Sequence, residues 1–131
     1  MLLDTSGLLA YVFAREKQHA SALALFESAP RKLTHSYVLA ELVILAQVRG
    51  HPRSPMLGFL RDLLVHPAVT IRWVDEVLTT EGLSLLGARP DKAYSLCDAV
   101  SFVLMRQHGF MEALTTDHHF EQEGFRRLLE P

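Results

Sequence analysis

The sequence predicts an α/β fold, a single-domain three-layer α/β/α sandwich with a central mostly parallel sheet over residues 1–131. Short apolar or β-branched runs alternate with helical runs along the whole chain, which is typical of strand–helix–strand units. The length of 131 residues suits one domain with its own core. A hydrophobic content of 49% against 21% charged residues is ordinary for a globular protein. These observations together exclude a disordered or repetitive chain.

Five segments are predicted as strands. The first is the apolar run Met1–Leu3, which ends at a turn-like cluster beginning with Asp4. The run 69–74 alternates in polarity and is rich in β-branched residues. In chain order the predicted strands are 1–3, 32–35, 69–74, 112–116 and 126–129.

Six helices are predicted between these strands, each with a recognisable beginning or end. Ser36, Ser54, Asp75 and Ser95 are the expected N-caps, and Pro55 is the expected first helical residue after Ser54. Glycine or proline follows the end of most of the helical runs. In chain order the predicted helices are about 6–13, 19–29, 36–50, 54–67, 75–88 and 95–109.

The charge balance bounds the function. Thirteen Lys and Arg residues stand against fifteen Asp and Glu, a net charge of −2, so bulk positive charge does not hold a nucleic acid here. Any such contact has to be made by a local patch or a bound cation.

Cys97 is the single cysteine, which excludes an internal disulfide and a zinc finger and indicates a small core residue. No signal peptide and no apolar run of roughly 18 residues occurs, so we expect a cytoplasmic protein with no membrane partner.

Two aspartates follow predicted strands. Asp4 comes directly after the first strand, and Asp117 follows the strand that ends at Thr116. Ligands of parallel sheets bind beyond the carboxyl ends of the strands, which is where both aspartates lie. Asp4 also suits the N-cap of the next helix, and Asp117 also suits a simple turn former.

Two further acids lie in apolar helical surroundings. Glu41 is the only charged residue between Tyr37 and Val48, so we expect it to be buried, either facing a cation or paired with an Arg. Asp98 lies three residues after Ser95, the spacing of a capping box, on the first turn of a helix. Four acids converging at the strand ends have the hard oxygen ligands that Mg²⁺ prefers, and two such ions can clamp a phosphoryl displacement.

The stretch "LTTDHHF" places two imidazoles beside Asp117. Successive side chains at a strand end tend to point in different directions, so we expect three successive ligands on one ion to be awkward. We therefore predict that Asp117 alone is the metal ligand, that His119 orders the loop, and that His118 contacts RNA or only solvent.

Four quoted motifs resemble, in order and spacing, those of PIN-domain ribonucleases, in particular the VapC-like toxins of type II toxin–antitoxin modules. The motifs are "LLDTSGLLAYV", "SYVLAELVIL" with Glu41, "YSLCDAVSFVLM" and "ALTTDHHFEQEGF". The resemblance extends from Leu2 to about Leu128, nearly the whole chain.

The resemblance implies a small α/β/α sandwich and metal-dependent cleavage of single-stranded or looped RNA. The metal-binding and catalytic acids would be Asp4, Glu41, Asp98 and Asp117, supported by a hydroxyl of Thr5 or Ser6. The cofactor would be Mg²⁺ or Mn²⁺, which activates a water for attack on the phosphate while Asp98 or Asp117 orients that water. The products would carry a 5′-phosphate and a 3′-hydroxyl.

The resemblance also implies partners. Relatives are usually homodimers, and a small antitoxin protein commonly blocks the site with a basic residue. Candidate RNA contacts are Arg49, Lys92 and His118, with Arg53 and Arg89 as further basic residues that serve equally well as solvated surface charge. Two alternatives stay open, an RNA-maturation nuclease and a PIN fold that binds RNA or protein without cutting. A phosphate-accepting receiver domain fits less well, since it normally has two adjacent acids after its first strand.

Overall fold

Five strands form one parallel sheet. The computed structural model describes residues 1–131. The strands are β1 (Leu2–Leu3), β2 (Lys32–His35), β3 (Val69–Arg72), β4 (Glu112–Leu114) and β5 (Arg126–Arg127). All neighbouring pairs are parallel and their order is β3-β2-β1-β4-β5. The predicted mostly parallel sheet is therefore confirmed.

Seven helices connect and cover the strands. They are α1 (Thr5–Val12), α2 (His19–Ser28), α3 (Ser36–Val48), α4 (Arg53–Leu64), α5 (Glu76–Gly87), α6 (Leu96–His108) and α7 (His119–Gln122). The sequence predicts all of them except α7, whose four residues are too few to show a helical period. None of these helices is both long enough and apolar enough to span a membrane.

The core has two halves, one on each face of the sheet. Leu3 and Leu114 pack into a cluster with α1, α2, α3 and α4, whereas Leu2 and Ala113 pack into a second cluster with α5, α6 and α7. Successive strand residues point to opposite faces, so each short strand contributes to both halves. Both halves consist of buried apolar side chains contributed by strands and helices together, which fixes the positions of the strand ends.

The topological switch point lies between β1 and β4. From central β1 the chain first builds β2 and β3 on one side, then crosses to build β4 and β5 on the other. Gly7 allows α1 to leave this point, because a Cβ atom there would lie 1.9 Å from the carbonyl oxygen of Leu114. The crevice at the carboxyl ends of β1 and β4 is thus the expected ligand site.

Of the four predicted helix caps, two are confirmed and two, Ser36 and Ser54, are wrong. The Asp75 carboxylate accepts a hydrogen bond from the backbone of Leu78, and Ser95 forms a capping box with Asp98. By contrast, α4 begins one residue before Ser54, with Pro52 in the N-cap position and no side-chain cap. Pro52 has no side-chain acceptor, so the first backbone N–H groups of α4 receive no hydrogen bond from an N-cap side chain.

The predicted burial of α3 is wrong. Ser36 begins this helix, but its hydroxyl accepts a hydrogen bond from the backbone of Val74 instead of capping the helix. Glu41 is exposed, and Ile44 and Val48 are 63% and 78% exposed. Only one stripe of this helix contacts the core, so apolar composition around its whole circumference overstated its burial.

Candidate active site

The four predicted acids lie near the carboxyl edge of the sheet on four different elements. Asp4 follows β1, Asp117 follows β4, Asp98 is on the first turn of α6, and Glu41 is on the second turn of α3. Their charges act on one another: Asp98 and Glu41 both raise the pKa of Asp4, and Asp117 raises the pKa of Asp98. The fold therefore brings residues 113 positions apart into one electrostatic neighbourhood.

Asp4 is a buried carboxylate with no basic partner. Its exposed fraction is 5%, and no Lys, Arg or His forms an ion pair with it. Burial, followed by the charges of Asp98 and Glu41, raises its pKa to about 7, although a hydrogen bond from Thr115 opposes the shift. Asp4 occupies the N-cap position of α1 but its side chain makes no cap bond. The simple capping role is thus not the one its carboxylate performs.

Thr115 joins the two sides of the switch point, a role that the sequence analysis missed. Its hydroxyl donates to Asp4 Oδ2 at 2.7 Å and accepts from the backbone N–H of Asp117 at 3.0 Å. The Ser6 hydroxyl lies 3.2 Å from the hydroxyl oxygen of Thr115, and it accepts a hydrogen bond from the backbone N–H of Thr116 at 3.0 Å. The available signal was a hydroxyl residue directly after β4, where an apolar residue would have continued the strand.

The hydroxyl groups of Thr5 and Ser6, which follow Asp4, differ in their hydrogen-bond partners. Ser6 acts through Thr115, as described above, and so helps to hold the loop that carries Asp117. The hydroxyl of Thr5 is buried and has no hydrogen-bond partner in the protein. A buried hydroxyl without a partner is costly unless a water or a ligand satisfies it.

Asp98 performs a capping role and an electrostatic role at once. Its Oδ2 accepts from the backbone of Ser95 at 3.0 Å and also lies 3.1 Å from Nδ1 of His119. Burial and then the charge of Asp117 raise its pKa, against the hydrogen bonds from Ser95 and His119. The capping box does not compete with a functional role, because it orients the carboxylate.

His119 connects the last two acids. Its Nδ1 lies 3.1 Å from Asp98 Oδ2 and 3.4 Å from Asp117 Oδ2, while its backbone N–H donates to Asp117 Oδ1 at 2.9 Å. The ring packs edge-on against Tyr94, with centroids 5.3 Å apart. His119 thus orders the loop as the sequence predicts.

Asp117, His118 and His119, which we expected to be awkward as three successive ligands on one ion, do lie close together. One ligand atom from each lies within 4.8 Å of the others, and no other group of three or more such residues is this tight. However, His119 is already bonded to two carboxylates, and the side chain of His118 is 65% exposed. Mg²⁺ usually retains several waters and needs only one or two carboxylates as direct ligands, so it does not require a tight group of side chains.

Glu41 lies at the exposed rim of this neighbourhood. It forms no ion pair with an Arg, and its predicted burial is wrong for the reason given for α3. Its charge still contributes to the raised pKa of Asp4 and, after burial, to the raised pKa of the Cys97 thiol. Cys97 is buried in the core, as expected, directly beside the acids.

The donor set suits a hard divalent cation. Asp4, Asp98, Asp117 and Glu41 offer only carboxylate oxygens, the ligands that Mg²⁺ and Mn²⁺ prefer. Burial raises the pKa of both Asp4 and Asp98, and Asp4 has no basic side chain as an ion-pair partner. These residues therefore fit a metal of the predicted kind.

The candidate RNA contacts divide into two groups. Arg49 borders a cavity that also reaches Ser6, and it pairs with Glu16. Lys92 pairs only with the neighbouring Asp91, at 3.6 Å, and lines none of the cavities. The structure thus places Arg49, but not Lys92, at a cavity that reaches the active-site loops.

The comparison with protein families decides the identity of the fold. The model of the PIN domain matches residues 1–125. The chain belongs to the PIN-domain family. The family predicted from the four sequence motifs is confirmed, and so is the α/β/α architecture.

Relatives within the PIN family are RNA-cleaving toxins. The chain is 29% identical over 127 residues to the 23S rRNA-specific endonuclease VapC20 of Mycobacterium tuberculosis, in strains CDC 1551 and H37Rv, covering 95% of each chain. It superimposes on the crystal structure of M. tuberculosis VapC20, a sarcin–ricin loop cleaving toxin, with a TM-score of 0.86. That match has 27% identity and covers 99% of this chain and 98% of the other. The similarity to an RNA endonuclease toxin supports the nuclease activity predicted from the sequence.

Proposed function

We propose that this protein is a metal-dependent endoribonuclease of the toxin type that cleaves a loop in ribosomal RNA. One observation carries the proposal most directly: Asp4 is buried at the switch point without a cationic partner, and burial, with the charges of Asp98 and Glu41 added, raises its pKa to about 7. A buried carboxylate that has no basic side chain as a partner is suited to binding a cation from solution. The length of the similarity to VapC20 supports the same function.

Each acid has a distinct part in the proposed reaction. Asp4, Asp98 and Asp117 would hold Mg²⁺ or Mn²⁺, with Glu41 binding from the rim. The cation supplies Lewis-acid activation of a water and neutralises charge on the phosphate. Asp98 and Asp117 are held in place by their own hydrogen bonds, so either is able to orient the attacking water.

Thr5, Ser6 and Thr115 would support the acids. Thr115 holds Asp4 Oδ2 by a short hydrogen bond, and Ser6 holds Thr115 in turn. The unpartnered hydroxyl of Thr5 is free to bind a water next to Asp4. These contacts would keep the carboxylates oriented when no cation is present.

The proposed substrate class follows from the relatives. VapC20 is a 23S rRNA-specific, sarcin–ricin loop cleaving toxin, and this chain covers 95% of its length. A looped RNA presents its backbone without a complementary strand, which suits a site at a sheet edge. We place the reaction in the cytoplasm, where ribosomes are found. His118 is exposed beside Asp117 and would contact the RNA backbone.

Two protein partners are proposed. An antitoxin would place a basic side chain among the uncompensated acids. A second copy would cover the exposed stripe of α3, where Ile44 and Val48 lie seven residues or less beyond Glu41 on one helix face. Sedimentation of the protein alone should then give a dimer, and Ile44→Asp with Val48→Asp should give a monomer.

The decisive experiment is cleavage of purified ribosomal RNA and intact ribosomes with mapping of the new RNA ends. Wild-type protein with Mg²⁺ or Mn²⁺ should produce one discrete break in a 23S loop, with a 5′-phosphate and a 3′-hydroxyl. Chelation with EDTA or the change Asp98→Asn should abolish the break. Asp62→Asn, an exposed acid on α4 away from the site, is the matched control and should cleave normally.

The outcomes separate the alternatives. RNA binding without any cleavage would support a non-cutting module and overturn the nuclease. A precise end on precursor RNA, without growth arrest on induced expression, would indicate a maturation nuclease. Cleavage that persists in EDTA would contradict the metal requirement.

A further inference from the structure

Two loops close to the acids carry a concentration of positive charge. Residues 14–18, between α1 and α2, and residues 49–53, which follow α3 and end on the first residue of α4, contain Arg15, Lys17, Arg49 and Arg53 against the single acid Glu16. These ten residues therefore carry three net positive charges in a chain whose net charge is −2. We call them the basic loop pair.

Buried contacts hold the two loops together. The side chain of His51 is 2% exposed, stacks on the ring of Phe13 at 4.0 Å, and lies with Nε2 3.1 Å from Glu16 Oε2. Arg15 bridges the loops, with its guanidinium 3.2 Å from His51 Nδ1 and 3.1 Å from the carbonyl oxygen of Arg49. The geometry of the basic loop pair is thus set by the protein before any ligand arrives.

The positive charge in these loops is largely uncompensated. Glu16 is the partner of both Arg49 and His51, so it has no further oxygen free for the other basic residues. Arg15, Lys17 and Arg53 are exposed and form no ion pair with any carboxylate. At the other end of the chain, by contrast, Arg126 and Arg127 are each paired with a glutamate.

A cavity connects the basic loop pair to the active site. Its volume is about 370 Å³, within the range of small-ligand sites. Its lining includes residues from the loops together with Ser6 and Thr116, which are hydrogen-bonded to each other. Because Ser6 and Thr116 flank Asp4 and Asp117 in sequence, the cavity opens beside the proposed reaction centre. The residues lining it are mostly polar: Ser6, Ala10, Glu16, Lys17, Gln18, Arg49, Thr116 and Pro131.

We propose that the basic loop pair binds the backbone phosphates of RNA nucleotides that flank the cleaved bond, with Lys17 and Arg49 at the cavity and Arg15 and Arg53 beyond it. The inference rests on the proposed RNA cleavage and extends it to substrate binding. Four acids at the site repel a polyanion, so a fixed cationic surface next to them supplies the attraction that the net charge does not. Lys92 and Arg89, which the sequence analysis considered, lie outside this surface.

The experiment measures binding of a fluorescent loop RNA across a salt series, in an Asp98→Asn background that silences cleavage. The test protein carries Lys17→Gln and Arg53→Gln, two exposed changes that leave the His51–Glu16 contact intact. The control carries Arg31→Gln and Arg61→Gln, two exposed basic residues that also lack ion pairs but lie outside the two loops. Both proteins therefore lose two positive charges.

The test protein should bind RNA roughly 10- to 30-fold more weakly near 0.1 M salt, and the slope of log affinity against log salt should fall by about 1.4. The control should bind within about twofold of the parent. With Asp98 restored, the test protein should show a raised KM and an unchanged kcat. Equal melting temperatures would establish that the two changes leave the fold intact.

Three results would overturn the inference. They are binding of the test protein equal to that of the parent, equal weakening in both double variants, and absence of any RNA binding. Failure of the wild-type protein to cleave is a separate result that overturns the proposed nuclease, because the binding curves are measured without cleavage. Normal cleavage with an unaffected KM in the test protein overturns the basic loop pair alone.

Discussion

Two buried carboxylates, Asp4 and Glu123, lie in opposite electrostatic environments. The Glu123 side chain is 2% exposed and accepts from Arg89 at 2.9 and 3.1 Å and from Arg106 at 2.6 Å. Burial would raise its pKa, but the two guanidinium groups hold it below its ordinary value. Asp4 is buried to a similar degree, has only acids and hydroxyls around it, and has its pKa raised to about 7.

The difference separates an acid that is paired within the fold from an acid that is a candidate for function. The chain provides the counter-charge for Glu123, so that residue contributes to the fold without outside help. For Asp4 it provides like charges instead, which destabilise the ionised folded state and create a demand for a cation. An acid that is buried, unpaired and close to other acids is therefore a candidate for function.

The largest expected effect is on cleavage in Asp4→Asn. Loss of one cation ligand should reduce kcat roughly a thousandfold, since a bound metal supplies several kcal/mol of charge stabilisation. The same change should leave the metal-free protein at least as stable at pH 8, because it removes a buried charge that has no partner. Kinetics and urea denaturation on one preparation would check both results, and normal cleavage would refute the assignment of Asp4.

The pH dependence of stability should distinguish the two acids. The folded pKa of Asp4 lies at about 7, above its ordinary value of 3.8, so its contribution to stability is present at low pH and is lost as the pH rises through 7. The difference corresponds to at most about 4 kcal/mol. In EDTA, the unfolding free energy of the wild-type protein relative to that of Asp4→Asn should fall as the pH rises from 5 to 7 and stay constant above that, because the other titrating groups are common to both proteins.

The contribution of Glu123 to stability should change with pH in the opposite direction to that of Asp4. Because its folded pKa is lowered from 4.5, its contribution is present above that pH and is lost as the pH falls through the folded pKa. A Glu123→Gln protein should therefore keep the wild-type slope between pH 5 and pH 8. An equal change in the pH dependence of the unfolding free energy in both variants would contradict the comparison.

A smaller effect is expected on the stability of Glu123→Gln at neutral pH. The change leaves Arg89 and Arg106 without their partner, but both side chains are partly exposed, at 39% and 47%. We expect a loss of about 1–3 kcal/mol, discounted for this solvent screening. Activity per folded molecule should be unchanged. Glu130→Gln, an exposed acid near the chain end, serves as the control in the same urea titration.

The smallest expected effect is on kcat in Thr115→Val. Valine keeps the shape but removes the hydroxyl that joins Asp4 to the backbone of Asp117. Misorientation of the two acids should lower kcat about tenfold, whereas Thr115→Ser should retain most of the activity. Equal rates in the two variants would show that the hydrogen bonds of Thr115 do not position the site.

The sequence predicted much of the fold because its local signals agree. The five strands, six of the seven helices and the caps at Asp75 and Ser95 follow from periodicity and capping chemistry. The four acids were found because each is a charge in an apolar or strand-end position. Their family resemblance was specific because four motifs occur in order along nearly the whole chain.

Other features depend on residues that are distant in sequence. The exposure of Glu41 follows from which stripe of α3 meets the core, and composition does not specify that stripe. Thr115 meets Asp4 across 111 positions, and His51 meets Glu16 across 35. No local sequence pattern predicts such pairs, because hydroxyl and imidazole side chains are common on protein surfaces.

The sequence by itself determined the element order, the family and the identity of the acids, because these depend on short-range periodicity and on residue chemistry. Only the tertiary structure decided which carboxylates lack a partner, which hydroxyl joins them and where uncompensated positive charge accumulates. The physical reason is that burial and Coulomb interactions depend on distances in space. In a sheet whose order is β3-β2-β1-β4-β5, those distances are set by strands that are far apart along the chain.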